Sequence, residues 1–325
     1  MALNPVDEAH ALQIQAGVLG RHAGHEFEDR IAMRINKARY PIDVPTQVLP
    51  NVAVGEPADL LLKQVGIHRS LRTICAARAI STGALATSSE GKRWLSINGV
   101  SVSRCKSDLV LNLRSPNSVV ATVGVSTKQC NNASPTNAQL YFTTANGFAN
   151  LLRRNGLQVS ELAVHTLRSF CGEPGHRPID SPVAMVGRLV DPRRYFWEEL
   201  DPQGRAELEA LLSTHQDAIT TLLLQKAYLD DPFTPDFLLH KTKRSQVSDQ
   251  TEVAIYPIDN LVSLSGRYQR FVTRPYSVRK GSYKDPPGIT HLAPRFGIVQ
   301  MQRGGQKQHP EQLQFNLEAG YFYRL

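Results

Sequence analysis

Long apolar runs are missing from this chain: none of its 325 residues lies in a stretch approaching the ~20 consecutive apolar positions a membrane helix needs. Met1–Ala16 carries charges and no continuous apolar core, so no secretory leader is expected there and a cytoplasmic protein with no membrane partner is expected. Cysteine is scarce too. Cys75, Cys105, Cys130 and Cys171 form no CxxC pair, which argues against a zinc site or a disulfide scaffold and for reduced thiols. The ten histidines show no HExxH and no paired spacing, so a catalytic zinc is not expected. No GxxxxGK[ST] loop is present and no GxGxxG follows a strand, which excludes simple nucleotide-binding folds of those kinds. A strand ending Phe237-Leu-Leu-His240-Lys-Thr242 places threonine where an HxK phosphodiesterase motif needs lysine, so that chemistry is excluded as well.

Positive charge is plentiful and unevenly placed. Lys plus Arg number 37 against 29 Asp plus Glu, a net charge of +8 that makes polyanions the natural partners. Between Ser265 and Pro310 stand Arg267, Arg270, Arg274, Arg279, Lys280, Lys284, Arg295, Arg303 and Lys307, with Asp285 as the single acid, so this segment carries the whole excess. Tyr268, Phe271, Tyr276 and Tyr283 are interleaved, and Pro275, Gly281, Pro286, Pro287 and Gly288 suggest loops. Such clustering reads either as a phosphate-binding face for double-stranded DNA or as a solvated loop region. Lys241, Lys243 and Arg244 form a smaller basic cluster suited to phosphate contact.

Periodicity divides the chain. Phe27, Ile31 and Ile35 predict a helix over 25–36 with Glu28 on an adjoining face, and further helices are expected around 58–64 and 70–80. Alternation at Leu109, Leu111 and Leu113 predicts a strand, the β-branched run 119–125 a second, and Arg114–Ser118 the turn between them. Helices are expected again near 148–156, from the Ser160 cap to Cys171, and from Asp201-Pro202 to about Leu229. Strands are then expected at 237–240, 252–258, 296–302 and 312–317. The expected organisation is a mainly helical region over residues 1–90, an α/β core over 91–232 and a β-rich basic region over 233–325, the three able to form one continuous domain.

Hydrolysing a phosphodiester calls for a hard cation held by carboxylates and for a further positive group to meet developing charge. Lys106-Ser-Asp108 precedes the first strand of the hairpin, and its second strand ends Gly124-Val-Ser126-Thr-Lys128-Gln129, so an acid and a lysine can meet at one end of neighbouring strands.

With Gly24-His-Glu26-Phe27-Glu28 on the opening helix, Asp108 on one strand and Ser126-Thr-Lys128 on the next, the chain resembles the PD-(D/E)XK nuclease superfamily, and more narrowly type II restriction endonucleases. Gln300–Gly305 with Gln312–Phe315 resembles a terminal hairpin of some of these enzymes. Ser126 departs from the pattern, standing where the family usually has an acid. The resemblance implies an α/β fold, a mixed central β-sheet flanked by helices with a β-rich C-terminal region, and site-specific, Mg²⁺-dependent endonuclease activity on duplex DNA. It implies Asp108 and Glu28 as metal ligands, with Glu26 in reserve, Lys128 as the group that orients water or stabilises the phosphorane, and Ser126 and Gln129 as neighbours in the site. It further implies a homodimer, one site per strand, and a separate cognate DNA methyltransferase. A DNA-binding protein whose site has decayed at Ser126, and a repair or junction nuclease with the same core, are the alternatives.

Overall fold

In the computed structural model, which describes residues 25–82, 96–102, 105–117, 120–130, 132, 134–226, 231–242, 251–277, 289–303 and 311–325, alternating apolar residues and helical repeats settle into fifteen strands and several helices. The strands are β1 (Ile42–Asp43), β2 (Val52–Gly55), β3 (Thr73–Ile74), β4 (Ala76–Ser81), β5 (Ser96–Ile97), β6 (Val100–Ser101), β7 (Leu109–Arg114) and β8 (Val120–Gln129). They continue with β9 (Ala138–Thr143), β10 (Pro235–Lys241), β11 (Thr251–Pro257), β12 (Phe271–Tyr276), β13 (His291–Phe296), β14 (Val299–Arg303) and β15 (Leu313–Leu317). Lys243, Arg244, Arg279, Lys280 and Lys284 lie outside the described residues.

Two compact units divide the described chain, one drawn from 25–138, 224–263 and 322–325, the other from 139–223 and 264–321. Each unit interleaves separate stretches of sequence, so its limits fall elsewhere than residues 90 and 232. The first is a mixed α/β unit with a central six-stranded sheet, ordered β2-β11-β10-β8-β7-β4 and flanked by helices. Its β8 and β10 run parallel, and its other pairings are antiparallel. Strand side chains alternate between faces. One face carries Leu109, Leu111, Leu113, Val123, Val125, Phe237, Leu239, Val253 and Ile255, all buried. Against it pack Phe27, Ile31 and Ile35 of the helix at 25–37 and Leu61, Leu62 and Val65 of the helix Pro57–His68. Glu56 caps the latter, its carboxylate accepting from the Asp59 N–H at 2.9 Å. On the opposite face Val110 meets Ile97 and Val102 beside the small β5–β6 hairpin.

Gly124 is where β8 needs a missing side chain. A Cβ there would run into the Ser107 hydroxyl and the Thr234 carbonyl, so only glycine lets the approach to β10 come this close to the middle of β8. Its N–H donates to Asp236 Oδ2 at 2.8 Å, which pins the entry to β10 beside it.

The second unit carries an antiparallel sheet of order β12-β13-β14-β15-β9 together with the helices Ala145–Arg154, Glu161–Cys171 and Pro202–Thr214. Ser160 caps the second of these helices and Gly172 ends it at φ 73°, as the Ser160 and Gly172 spacing predicts. Phe148, Phe296 and Phe315 meet in its interior, with Phe148 and Phe315 ring centres 4.6 Å apart.

Four local expectations are corrected. The stretch 70–80 is not helical: β4 pairs with β7 from Ala76↔Arg114 to Ser81↔Leu109, and pairing with an existing strand outweighs the local helical repeat. The opening ninety residues therefore hold strands as well as helices. The long helix after Asp201 is two helices, Pro202–Thr214 and Gln216–Gln225, broken at His215. The single strand 296–302 is β13 turning into β14 at Gly297, whose φ of 54° suits a tight turn, while Pro275 lies within β12 rather than in a loop.

Candidate functional site

Asp108 stands one residue before β7, and its N–H still donates to the Val125 carbonyl at 2.8 Å. Continuing the Leu109↔Val125 register by one step sets Asp108 opposite Ser126. Alternation then puts Asp108, Ser126 and Lys128 on one face at the end of two interior strands. Their side chains meet. Lys128 Nζ is 3.5 Å from Asp108 Oδ2, Ser126 Oγ donates to that oxygen at 3.2 Å, and Lys128 Nζ donates to Ser126 Oγ at 3.2 Å. Ser126 thus bridges the acid and the lysine.

Thr127 lies on the other face, in the row continued by Val125 and Val123 against which the helix at 25–37 packs. Its hydroxyl donates to Glu28 Oε1 at 2.9 Å, and its N–H donates to Asp108 Oδ2 at 2.6 Å. The helix thereby carries Glu28 to the strand end from the face opposite Lys128. Glu28 is only 6% exposed, and its Oε2 is buried with no hydrogen-bond partner among the described residues. Burial, and next the charge of Asp108, push its carboxyl from 4.5 up to about 8, against the opposing pull of the Thr127 hydrogen bond and the Lys128 charge. A carboxylate held by one oxygen, with the other oxygen unsatisfied near a second carboxylate, is an environment a cation would relieve.

Two residues that motif spacing does not single out stand beside this group. Thr127 is one; the signal for it is its place in the apolar row, where a hydroxyl interrupts aliphatic residues. Lys106 is the other, two positions before Asp108. Burial and the neighbouring Lys128 charge push its amine down to about 7, partly offset by Asp108 and Asp231. Its N–H donates to Asp231 Oδ2, which fixes the approach to β7.

The other expected site residues are distributed as follows. Gln129 is half-buried at the end of β8 and shares Thr127's face rather than Lys128's, so it does not stand beside the lysine as the motif suggests. Glu26 is exposed on the helix surface. Lys241, at the end of β10, places its ammonium 4.7 Å from the centre of the Phe27 ring. His240, paired with Lys128 across the parallel ladder, is buried, shares a 2.6 Å hydrogen bond between Nδ1 and the Tyr323 hydroxyl, and is pushed down to about 4 by burial and by the Lys128 charge. It is a neutral core histidine.

In the second unit Arg267 and Arg270 are exposed. Arg274 is engaged: its Nη1 donates to both Glu318 oxygens at 3.1 Å, and Arg295 Nε lies 3.8 Å from the same carboxylate. Asp285 lies outside the described residues, and Glu318, from beyond the C-terminal limit of the basic segment, neutralises some of the expected phosphate-binding face.

Among the described residues no group of three or more His, Cys, Asp or Glu side chains is assembled as a metal cluster, and no helix is long and apolar enough to cross a membrane. No family model matches the chain and no curated protein matches it. Among solved structures, it is similar to the crystal structure of the restriction endonuclease MspI in complex with its cognate DNA, at 13% identity over 75% of this chain and 71% of that one, with a TM-score of 0.41.

Proposed function

We propose that this protein is a type II restriction endonuclease, a Mg²⁺-dependent enzyme that hydrolyses phosphodiester bonds in double-stranded DNA at a specific sequence. The observation that carries the reading is the meeting of Asp108, Ser126 and Lys128 at one strand end, with Glu28 delivered to the same end through Thr127. The donor set suits magnesium, which is commonly held by one or two carboxylates and completes its shell with water and substrate phosphate. Asp108 and the unsatisfied oxygen of Glu28 are the two carboxylate donors, Glu28 replacing the acid absent at Ser126.

Bound Mg²⁺ supplies Lewis-acid polarisation of a phosphate oxygen and a more acidic water. The chain's own groups do the rest. Asp108 is fixed by hydrogen bonds from Ser126 Oγ and the Thr127 N–H, so its carboxylate needs no reorientation when substrate arrives. Lys128, anchored by Ser126 Oγ and by the Thr127 carbonyl at 2.8 Å, presents its ammonium where negative charge grows on the phosphate or where water must be oriented. Arg267 and Arg270, exposed on the second unit, and Lys241 supply backbone contacts that hold register without reading sequence. Cutting both strands of a symmetric site is served by a two-fold dimer, and such a system pairs the enzyme with a separate methyltransferase.

Incubating phage DNA with the purified protein, with and without Mg²⁺, tests this. Discrete metal-dependent fragments are expected. Salt-sensitive binding without cleavage would instead identify a non-catalytic DNA-binding protein, and cutting confined to branched substrates a junction nuclease.

A further inference from the structure

Every polar atom of Thr127 is committed to a different member of the candidate site. Its N–H donates to Asp108 Oδ2 at 2.6 Å, its carbonyl accepts from Lys128 Nζ at 2.8 Å, and its hydroxyl donates to Glu28 Oε1 at 2.9 Å. The first two contacts use backbone atoms and could be made by any residue that keeps the strand. The third depends on the side chain.

We infer that Thr127 is the positioning residue that lets a helix carboxylate stand in for the acid missing at Ser126, an inference that rests on the nuclease reading above. The argument follows from the alternation of β8. Ser126 and Lys128 share a face with Asp108, so an acid at 126 would project directly beside Asp108, whereas a carboxylate from the helix at 25–37 comes from behind the sheet. The row it must pass is apolar, formed by Leu109, Leu111, Val123 and Val125. Thr127 continues that row at the strand end and replaces its aliphatic surface with a hydroxyl. Thr127 and Glu28 are each 6% exposed, so neither could be left without its partner cheaply. The hydroxyl occupies Oε1 and leaves Oε2 without a partner, which fixes the rotamer of Glu28 and reserves one oxygen for a cation.

Thr127→Val, nearly isosteric and β-branched, removes the hydroxyl while keeping strand propensity, and Thr127→Ser keeps the hydroxyl. Mn²⁺ serves as the probe, titrated calorimetrically into the full-length protein, with thermal melts reporting the fold. Thr127→Val is expected to weaken Mn²⁺ affinity by ~10–100-fold, the usual cost of losing the partner that orients a metal ligand. Thr127→Ser is expected to restore most of it, and adding Thr127→Val to Glu28→Gln should cost almost nothing further. If Thr127→Val does not fold, Thr127→Ala carries the same expectation. Parent-like Mn²⁺ affinity in the valine or alanine variant, equal loss in serine and valine, or a parent that binds no Mn²⁺ would each overturn the inference. A parent that binds Mn²⁺ in this pattern yet cuts no DNA would leave the inference standing and remove the nuclease reading; one that cuts DNA with valine-insensitive metal binding would do the reverse.

Discussion

Lys128 Nζ and Asp108 Oδ2 lie 3.5 Å apart, and Ser126 Oγ is hydrogen-bonded to both. Both charged side chains keep about a quarter of their surface exposed, at 26% and 28%, which leaves part of each open to a ligand while most of the pair is shielded from water. Lys128→Ala is expected to lower Tm, because the mostly buried Asp108 carboxylate loses its charge partner. It should lower Mg²⁺-dependent DNA cleavage by ~10²–10³-fold, as loss of one group stabilising developing charge does, with DNA affinity nearly unchanged. Plasmid cleavage alongside fluorescence anisotropy of a labelled duplex checks both. Full activity in the variant would remove Lys128 from the site.

The stability of the metal-free protein should depend on pH through Glu28 and His240, which act in opposite directions, and above about 7 through Lys106 as well. Glu28 has its carboxyl raised to about 8 from 4.5, so the folded state holds the proton more tightly. Its contribution is complete below 4.5 and is lost as pH rises to about 8. His240 is lowered to about 4 from 6.5, and its contribution is complete above 6.5 and is lost as pH falls toward 4. Between 4.5 and 6.5 the two oppose each other, from 6.5 to about 7 the Glu28 contribution dominates, and above 7 the buried Lys106 amine, lowered to about 7 from 10.5, adds a contribution that grows with pH and opposes it. Melting in EDTA should therefore show Tm falling between pH 6.5 and about 7, with Glu28→Gln flattening the fall and Mg²⁺ reversing it in the parent. An unchanged slope in Glu28→Gln would show that another group titrates there.

Ser126→Asp sets a second carboxylate against Asp108. Without metal the like charges should lower Tm, and Mg²⁺ should recover it by more than it raises the parent. Thermal melts at several Mg²⁺ concentrations read this directly. A variant indifferent to Mg²⁺ would argue that no cation is held between these strands.

The arginines of the second unit should separate by function. Arg267→Ala and Arg270→Ala are each expected to reduce the slope of log affinity against log salt by ~0.9 for duplex DNA, with no change in Tm. Arg274→Ala should lower Tm instead, because the Glu318 carboxylate, only 6% exposed, would be left to Arg295. Binding isotherms at several salt concentrations, with melts on the same samples, distinguish the two. A Tm loss in Arg267→Ala would reassign it to the fold.

Much of the first unit is legible from local pattern. Leu109, Leu111 and Leu113 and the β-branched residues of β8 announce the hairpin, so Asp108 and Lys128 can be paired by position alone. The helix carrying Glu28 is written equally plainly in Phe27, Ile31 and Ile35. The segment 70–80 suits a helix in isolation, while the open edge of β7 supplies a ladder that isolated propensity does not include. Glu318 escapes the sequence reading for a related reason: a charge count over a sequence window cannot register an acid that folds back from outside it.

What the sequence determines is therefore the hairpin, the opening helix and the identity of the groups that can meet, because each follows from a repeat of two or of about four residues. Only the tertiary structure decides that Glu28 approaches from the face opposite Lys128 and that the Thr127 hydroxyl receives it. That contact joins residues 99 positions apart in the chain, and the packing of a helix on a sheet, which no local period encodes, sets its geometry.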